Sequence, residues 1–430
     1  MIRNILLVFI LITSSAITAQ RTSSSPYSFF GIGDEFSPVT VEQSAMGGIG
    51  VAYSHYKYLN FTNPAAYANL RYTTYSFGLL NNKLSLDNGG VKQSSNSTSL
   101  SYFALAFPIG NKAGMSFGLQ PVSSVGYSLS NSILGDDNET VSEITLFSGE
   151  GGVSRIYSSF GIKVYKELSL GIEVDYKFGN IDNSILNQRA GVSLATKYKE
   201  TTNVKGGSIT LGAQYKKALK NNLIISGGAT FKMGNDLKVT GDDYLYSLSV
   251  NNSGGEFGRD TISQSEISGN YKLPLKTTLG AGLGKDDKWY VGLEYEKQDA
   301  IETTGFLNTT NSAYAYGESN RISLGGFYIP KINSISSYWE RVTYRVGVRL
   351  EKTGLLVDGS DPYTNYTAVD DFGISFGLGL PLKQLSSVNM GFEFGKRGTT
   401  ANNLIKENYF NFRLSLSLTD TNWFQKRKID

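Results

Sequence analysis

The chain has 430 residues, with 40 Lys and Arg against 37 Asp and Glu, a single His and no Cys. That balance offers no clustered basic face for nucleic acid. The missing Cys excludes a disulfide scaffold, a thiol nucleophile and a Cys-ligated metal. A lone His55 leaves no His-rich metal site and makes a Ser-His-Asp triad remote, so no cofactor, no metal and no enzyme are expected. Gly (48), Tyr (27) and Phe (23) are abundant and Pro (9) is scarce, which favours strands and turns over helices.

Residues 1–19 have the form of a secretory signal peptide. Arg3 supplies a basic start, Ile5 to Ile12 an apolar run, and small residues lead to a cleavage site after Ala19. The run is well short of the ~20 residues of a transmembrane helix, and no later segment reaches such a length. The exported chain is therefore expected outside the cytoplasm or in an outer membrane.

Residues 20–70 lack strand patterning. They carry Ser25-Pro26-Tyr27, then Gly31-Ile32-Gly33-Asp34, then Met46-Gly47-Gly48, then Asn63-Pro64-Ala65. Fifty residues make a poor independent core, yet they are too apolar and aromatic for a disordered tail. Inside a barrel they would form a plug, with Gly47 and Gly48 letting backbone pass close to the wall and Asn63-Pro64 making a turn. A periplasmic linker is the alternative. His55 falls in this segment, as a packing or polar contact residue.

From 71 to 419, apolar and polar residues alternate almost throughout. Leu168, Leu170, Ile172, Val174, Tyr176 and Phe178 alternate with Ser169, Gly171, Glu173, Asp175 and Lys177. Val342 to Leu350 and Phe410 to Leu418 do the same. Such segments have one apolar and one polar face. A soluble sandwich also alternates, but its strands average only ~5–6 residues, whereas a tilted membrane strand needs ~9–11. The pattern predicts fourteen strands, from 71–80 to 408–419. Connections alternate between short turns, such as Lys166-Glu167, and long loops over 81–96, 131–152, 180–203, 235–268, 300–315, 354–368 and 399–407. Unpaired edges are untenable in lipid, so the sheet must close. The expected fold is all-β: a fourteen-stranded antiparallel transmembrane β-barrel with a small N-terminal plug. Both ends of the barrel then face the periplasm, followed by a basic tail over 420–430 containing Trp423 and Phe424.

Ser25 to Ser28, Gly31 to Asp34, Ala45 to Gly48 and Asn63-Pro64-Ala65 resemble the N-terminal segment of Bacteroidota outer membrane proteins. These are similar to the long-chain fatty acid transporter family (the FadL and TodX group). The resemblance implies fourteen strands, an N-terminal hatch and passive uptake of hydrophobic small molecules, which leave sideways into the bilayer through a kink in the third strand. A secretion shuttle barrel of the PorV kind resembles the same family. Here the third expected strand contains Pro121, which lacks an N–H and marks a break in pairing. A lateral gate and a simple bulge are both open at this point.

Inward positions carry Glu173, Asp175, Arg345, Arg349 and Arg413. Their mixed signs suit internal salt bridges bracing the plug better than a charge-selective channel. Two functions follow as expectations. One is uptake of hydrophobic small molecules across outer-membrane lipid. The other is a non-transporting barrel subunit whose 235–268 loop or basic tail binds other outer-membrane or periplasmic proteins.

Overall fold

A computed structural model describes residues 24–90, 92–135, 140–251, 255–304, 313–360, 365–383 and 385–420. The expected signal peptide and the tail beyond Asp420 lie outside the described residues. Fourteen strands form one antiparallel sheet. They are β1 (Thr73–Asp87), β2 (Lys92–Ile109), β3 (Ala113–Leu134), β4 (Val141–Tyr165), β5 (Leu168–Arg189) and β6 (Ala195–Ala218). Four interrupted strands follow: β7 (Ile224–Lys232, Asn235–Val250), β8 (Glu256–Leu273, Lys276–Lys285), β9 (Trp289–Gln298, Glu302–Thr303) and β10 (Tyr314–Tyr316, Ser319–Tyr328). The last are β11 (Thr343–Val357), β12 (Thr367–Pro381), β13 (Ser387–Arg397) and β14 (Lys406–Asp420). Pro274, unable to donate to a ladder, sits in the break of β8. β14 pairs with β1 in continuous register from Asp420–Thr73 to Lys406–Asp87, which closes the barrel.

Burial is inverted relative to a soluble protein. On β5, Leu170, Ile172, Val174, Tyr176 and Phe178 are exposed, while Glu173, Asp175 and Lys177 are buried. On β14, Leu416 and Leu418 face out and Ser415 and Ser417 face in. An apolar belt outside a polar bore is the arrangement that lipid demands.

The strand count matches the alternation, and 399–407 is a loop as expected, but several of the other expected long loops are largely strand. β3, β4, β5 and β6 run for 22, 25, 22 and 24 residues. Most of the expected 131–152 and 180–203 loops is strand, and so is most of 235–268. That last segment forms the outer parts of β7 and β8, paired from Asn235–Leu273 to Val250–Glu256. The reason is physical. Alternation requires one dry and one wet face; beyond the belt both faces meet water, so the pattern fades while backbone pairing continues.

The plug occupies the bore from one end to the other. Its elements are brief: a 3-10 turn at Pro26–Phe29, a two-residue strand at Asp34–Glu35, one helical turn at Val41–Ser44 and a second 3-10 turn at Pro64–Asn69. The helical turn is closed by a reciprocal cap between Thr40 and Gln43. Ser25 donates to Glu407 (2.5 Å) near the outer end of β14. Tyr56 donates to Asp287 (3.1 Å) in the short turn between β8 and β9. The barrel's first and last wall residues pair on the short-turn side, as expected. The first described plug residues, however, lie at the opposite mouth, and the chain descends through the bore before β1 begins.

Candidate functional site: the plugged bore and a gap in its wall

The plug sits directly on the wall backbone. A Cβ on Gly161 would lie 2.4 Å from the Pro64 carbonyl oxygen, one on Gly171 2.3 Å from the Ala65 nitrogen, and one on Gly212 2.2 Å from Asn63 Oδ1. These glycines come from β4, β5 and β6 and form one seat. Asn63 is fully buried. It accepts from the Ala65 amide (3.0 Å) and donates to the carbonyls of Val51 (2.7 Å) and Ala213 (3.0 Å), tying the turn to itself and to β6. A second seat holds Met46 and Gly47 against Gly325 and Gly347. Gly47 (φ 71°) and Gly48 (φ 87°) adopt left-handed backbone, and the Gly47 amide donates to Ser375 (2.9 Å). The Met46-Gly47-Gly48 and Asn63-Pro64-Ala65 motifs are thus two of the places where the plug rests on the wall backbone.

The expected inward charges fall into separate groups. Glu173 and Asp175 belong to a buried network with Arg155 (2.9 Å to Glu173), Lys177 (2.5 Å to Asp175) and Lys232 (3.6 Å to Asp175). Gln120 accepts from Arg155. Arg349 pairs with Glu351, Asp371 (3.3 Å) and Glu393 (3.1 Å), and Glu393 also takes Arg413 (2.5 Å). Arg345 joins neither network; it donates to Asn389 (3.2 Å) and lies over the Tyr58 ring. Other charged wall residues bond the plug, one through an ion pair and two through hydrogen bonds. Arg397 pairs with Asp34, Arg321 donates to Ser37 (2.8 Å), and Glu294 accepts from the amides of Gly50 and Val51 (2.8 Å each). Arg155, Arg321, Arg397 and Glu407 were not singled out from the sequence. Strand parity could have flagged Arg155 and Arg321, but Arg397 and Glu407 lie at strand ends, where parity is weakest.

His55 stacks on Tyr56 (4.2 Å) and approaches Asp287 (3.6 Å) at the short-turn end. Burial pushes its imidazole down to about 4 against the pull of Asp287, so the ring is neutral at pH 7.

Pro121 stands at a discontinuity. On one side, β3 stays paired with β4, with a bulge between Pro121–Ser154 and Ser123–Val153. On the other, the β2–β3 ladder runs only from Ile109–Ala113 to Phe103–Leu119 and then stops, although both strands continue. Plug residues enter the resulting wedge: Asp34 and Glu35 pair with Ser124 and Ser123, and the Phe36 amide donates to the Val122 carbonyl (2.8 Å). A cavity of about 280 Å³ reaches this gap. Leu80, Leu84, Leu100 and Pro121 line it nearby, but across the bore its lining is Glu296, Arg321, Arg349, Asp371, Glu393 and Arg413.

A closed fourteen-stranded barrel with an apolar belt, a polar bore and a self-supplied stopper defines a plugged outer-membrane β-barrel. The sequence model of the BamG family matches residues 1–430, and the chain belongs to that family. No curated protein sequence matches it. Among solved structures, it is similar to the P. putida toluene transporter TodX, with TM-score 0.59 and 15% identity over 90% of this chain and 99% of that one. A Pseudomonas aeruginosa FadL homologue gives TM-score 0.59 and 14% identity over 89% and 98%. The Ralstonia pickettii toluene transporter TbuX gives 0.55 and 13% over 91% and 99%. At such identities the likeness concerns the fold.

Proposed function

We propose that this chain is a barrel subunit of an outer-membrane protein complex, and that solutes do not pass through its bore. The ion pairs crowding one side of the cavity carry this reading; the rest of its lining, with Phe30, Leu80, Leu84, Tyr102 and Tyr316, is largely apolar. Sites for hydrophobic molecules are mostly apolar with a few placed polar groups. Here Arg321, Arg349, Arg413 and their carboxylate partners crowd one side of the cavity beside the gap. A hydrophobic solute there would strip water from paired charges without replacing it. Purification from native membranes in mild detergent tests the reading. A stable assembly containing this chain, with fatty acid and toluene uptake unchanged in a deletion strain, is the expected result. A chain recovered alone, together with lost uptake, would refute it.

One observation favours a second reading, uptake of hydrophobic small molecules with lateral exit beside Pro121. It is the missing β2–β3 ladder above Phe103 and Leu119, with Leu80, Leu84 and Leu100 at its edge. Uptake of a labelled hydrophobic solute that depends on this chain would support it.

A further inference from the structure

Above the plug's contact, the outer edge of β3 has no strand partner among the described residues. The Val122 carbonyl and the Gly126 amide both point toward the gap, where they meet the plug at Phe36 and Ser28. Backbone direction alternates along a strand, so Ser128, Ser130 and Ser132 aim their N–H and C=O groups the same way. All three are exposed. This edge already accepts one extended segment, since Asp34 and Glu35 sit on it as a short strand.

The side chains around the free edge are unusual for their location. Ile133, Leu134, Ile144 and Leu146 are 42–53% exposed. Ser130 pairs with Leu146 and Ser132 with Ile144, so these two apolar side chains lie on β4, one strand in from the edge. Leu134 stands about 15 positions beyond Leu119, where the β2–β3 ladder ends, or roughly 50 Å of strand. That distance carries the hairpin tip well clear of lipid. A long, uncapped edge flanked by apolar side chains is normally blunted by charge or Pro; 127–134 contains neither.

We infer that the Ser128–Leu134 edge of β3 is a docking site for a β-strand donated by another polypeptide on the outer face of the membrane. The occupant is an extended protein segment, because the edge offers a row of backbone donors and acceptors that a lipid or small solute would not satisfy. It continues the plug's own strand addition by further rungs. Backbone bonds would supply affinity, and the apolar fringe would select alternate apolar side chains in the partner. The inference deepens the subunit reading and rests on it.

The direction of the Ser130 amide makes a clean test. A photo-crosslinking amino acid at Ser132 in intact cells should give one discrete adduct whose mapped peptide is an extended segment of a different protein. Ser130→Pro removes the gap-side N–H without touching the β4 ladder, and should lower the adduct at least tenfold. Ser130→Ala keeps the backbone and should leave it unchanged. Heat-modifiable migration in gels verifies that each variant is a folded barrel. An adduct to a second copy of this chain, an adduct only to lipid, no adduct, or an adduct insensitive to Ser130→Pro overturns the inference. If the complex still co-purifies in that case, the subunit reading stands and only the edge is discarded.

Discussion

At Gly171 the wall and the plug are separated by less than the room a methyl group needs, since a Cβ there would meet the Ala65 nitrogen at 2.3 Å. Gly171→Val therefore cannot be accommodated by rotating a side chain; the plug backbone must lift. Overpacking of this sort costs about 1–3 kcal/mol. The barrel should still fold, because the β5 ladder is unaffected, while the 63–69 turn loosens. Planar-bilayer recordings should show larger or more frequent openings than in the parent protein; unchanged conductance would mean that the turn does not seal the bore. His55 gives a pH signature at the same scale. Its folded-state pKa is held near 4, below the ordinary 6.5. The unfolded chain thus takes up a proton between those values that the folded protein refuses. Stability is full above about pH 6.5, falls as pH drops toward 4, and changes no further through this group below that. The loss is on the order of 3 kcal/mol. His55→Gln should flatten this part of the profile in thermal melts at pH 7 and pH 4.5. Both plug motifs that rest on the wall backbone are visible in the sequence, as is the inward direction of Glu173, Asp175 and Arg349. Their partners are not: Arg155 and Lys232 reach Asp175 from other strands, and nothing local records that meeting.

Among the elements, β2 and β3 carry the most information about function, because they pair near the short-turn side and part company above it. The plug strand Asp34–Glu35 occupies the start of the wedge. Glu35 and Ser123 face each other across two antiparallel strands, at a separation of about 5 Å typical of such pairs and suited to a disulfide. The double variant Glu35→Cys, Ser123→Cys should oxidise readily and shift gel mobility without reductant. If the gap is an exit for hydrophobic solutes, the locked form should abolish uptake and dithiothreitol should restore it. If the chain is a complex subunit, locking should leave assembly intact. Pro121, which cannot donate to a ladder, lies two residues beyond the last β2–β3 pair at Leu119 and at a bulge in the β3–β4 ladder. The height of β3 to β8 was hidden for the reason that hid their loops: in water on both faces, a strand has no need to alternate.

Taken whole, the molecule is a short cylinder with a tall partial wall on one side. The wall's outer hairpins should be dispensable for folding, because the belt and the plug seats lie below them. Replacing 242–266 by a two-residue turn would join β7 to β8 directly above Gly241 and Ile267, which face each other in the ladder. The shortened protein should remain in the outer membrane and keep its heat-modifiable migration; aggregation instead would assign the wall a role in folding. The amino-acid sequence by itself determined the class of fold, the strand count and the position of the plug motifs. These follow from alternation, length and local turn chemistry, all of which neighbouring residues impose on each other. Only the tertiary structure decided how the plug threads the bore, which charges neutralise one another, and where the wall fails to close. Those depend on residues hundreds of positions apart, such as Ser25 with Glu407 and Asp34 with both Ser124 and Arg397, whose approach is set by closure of the barrel and not by any local pattern.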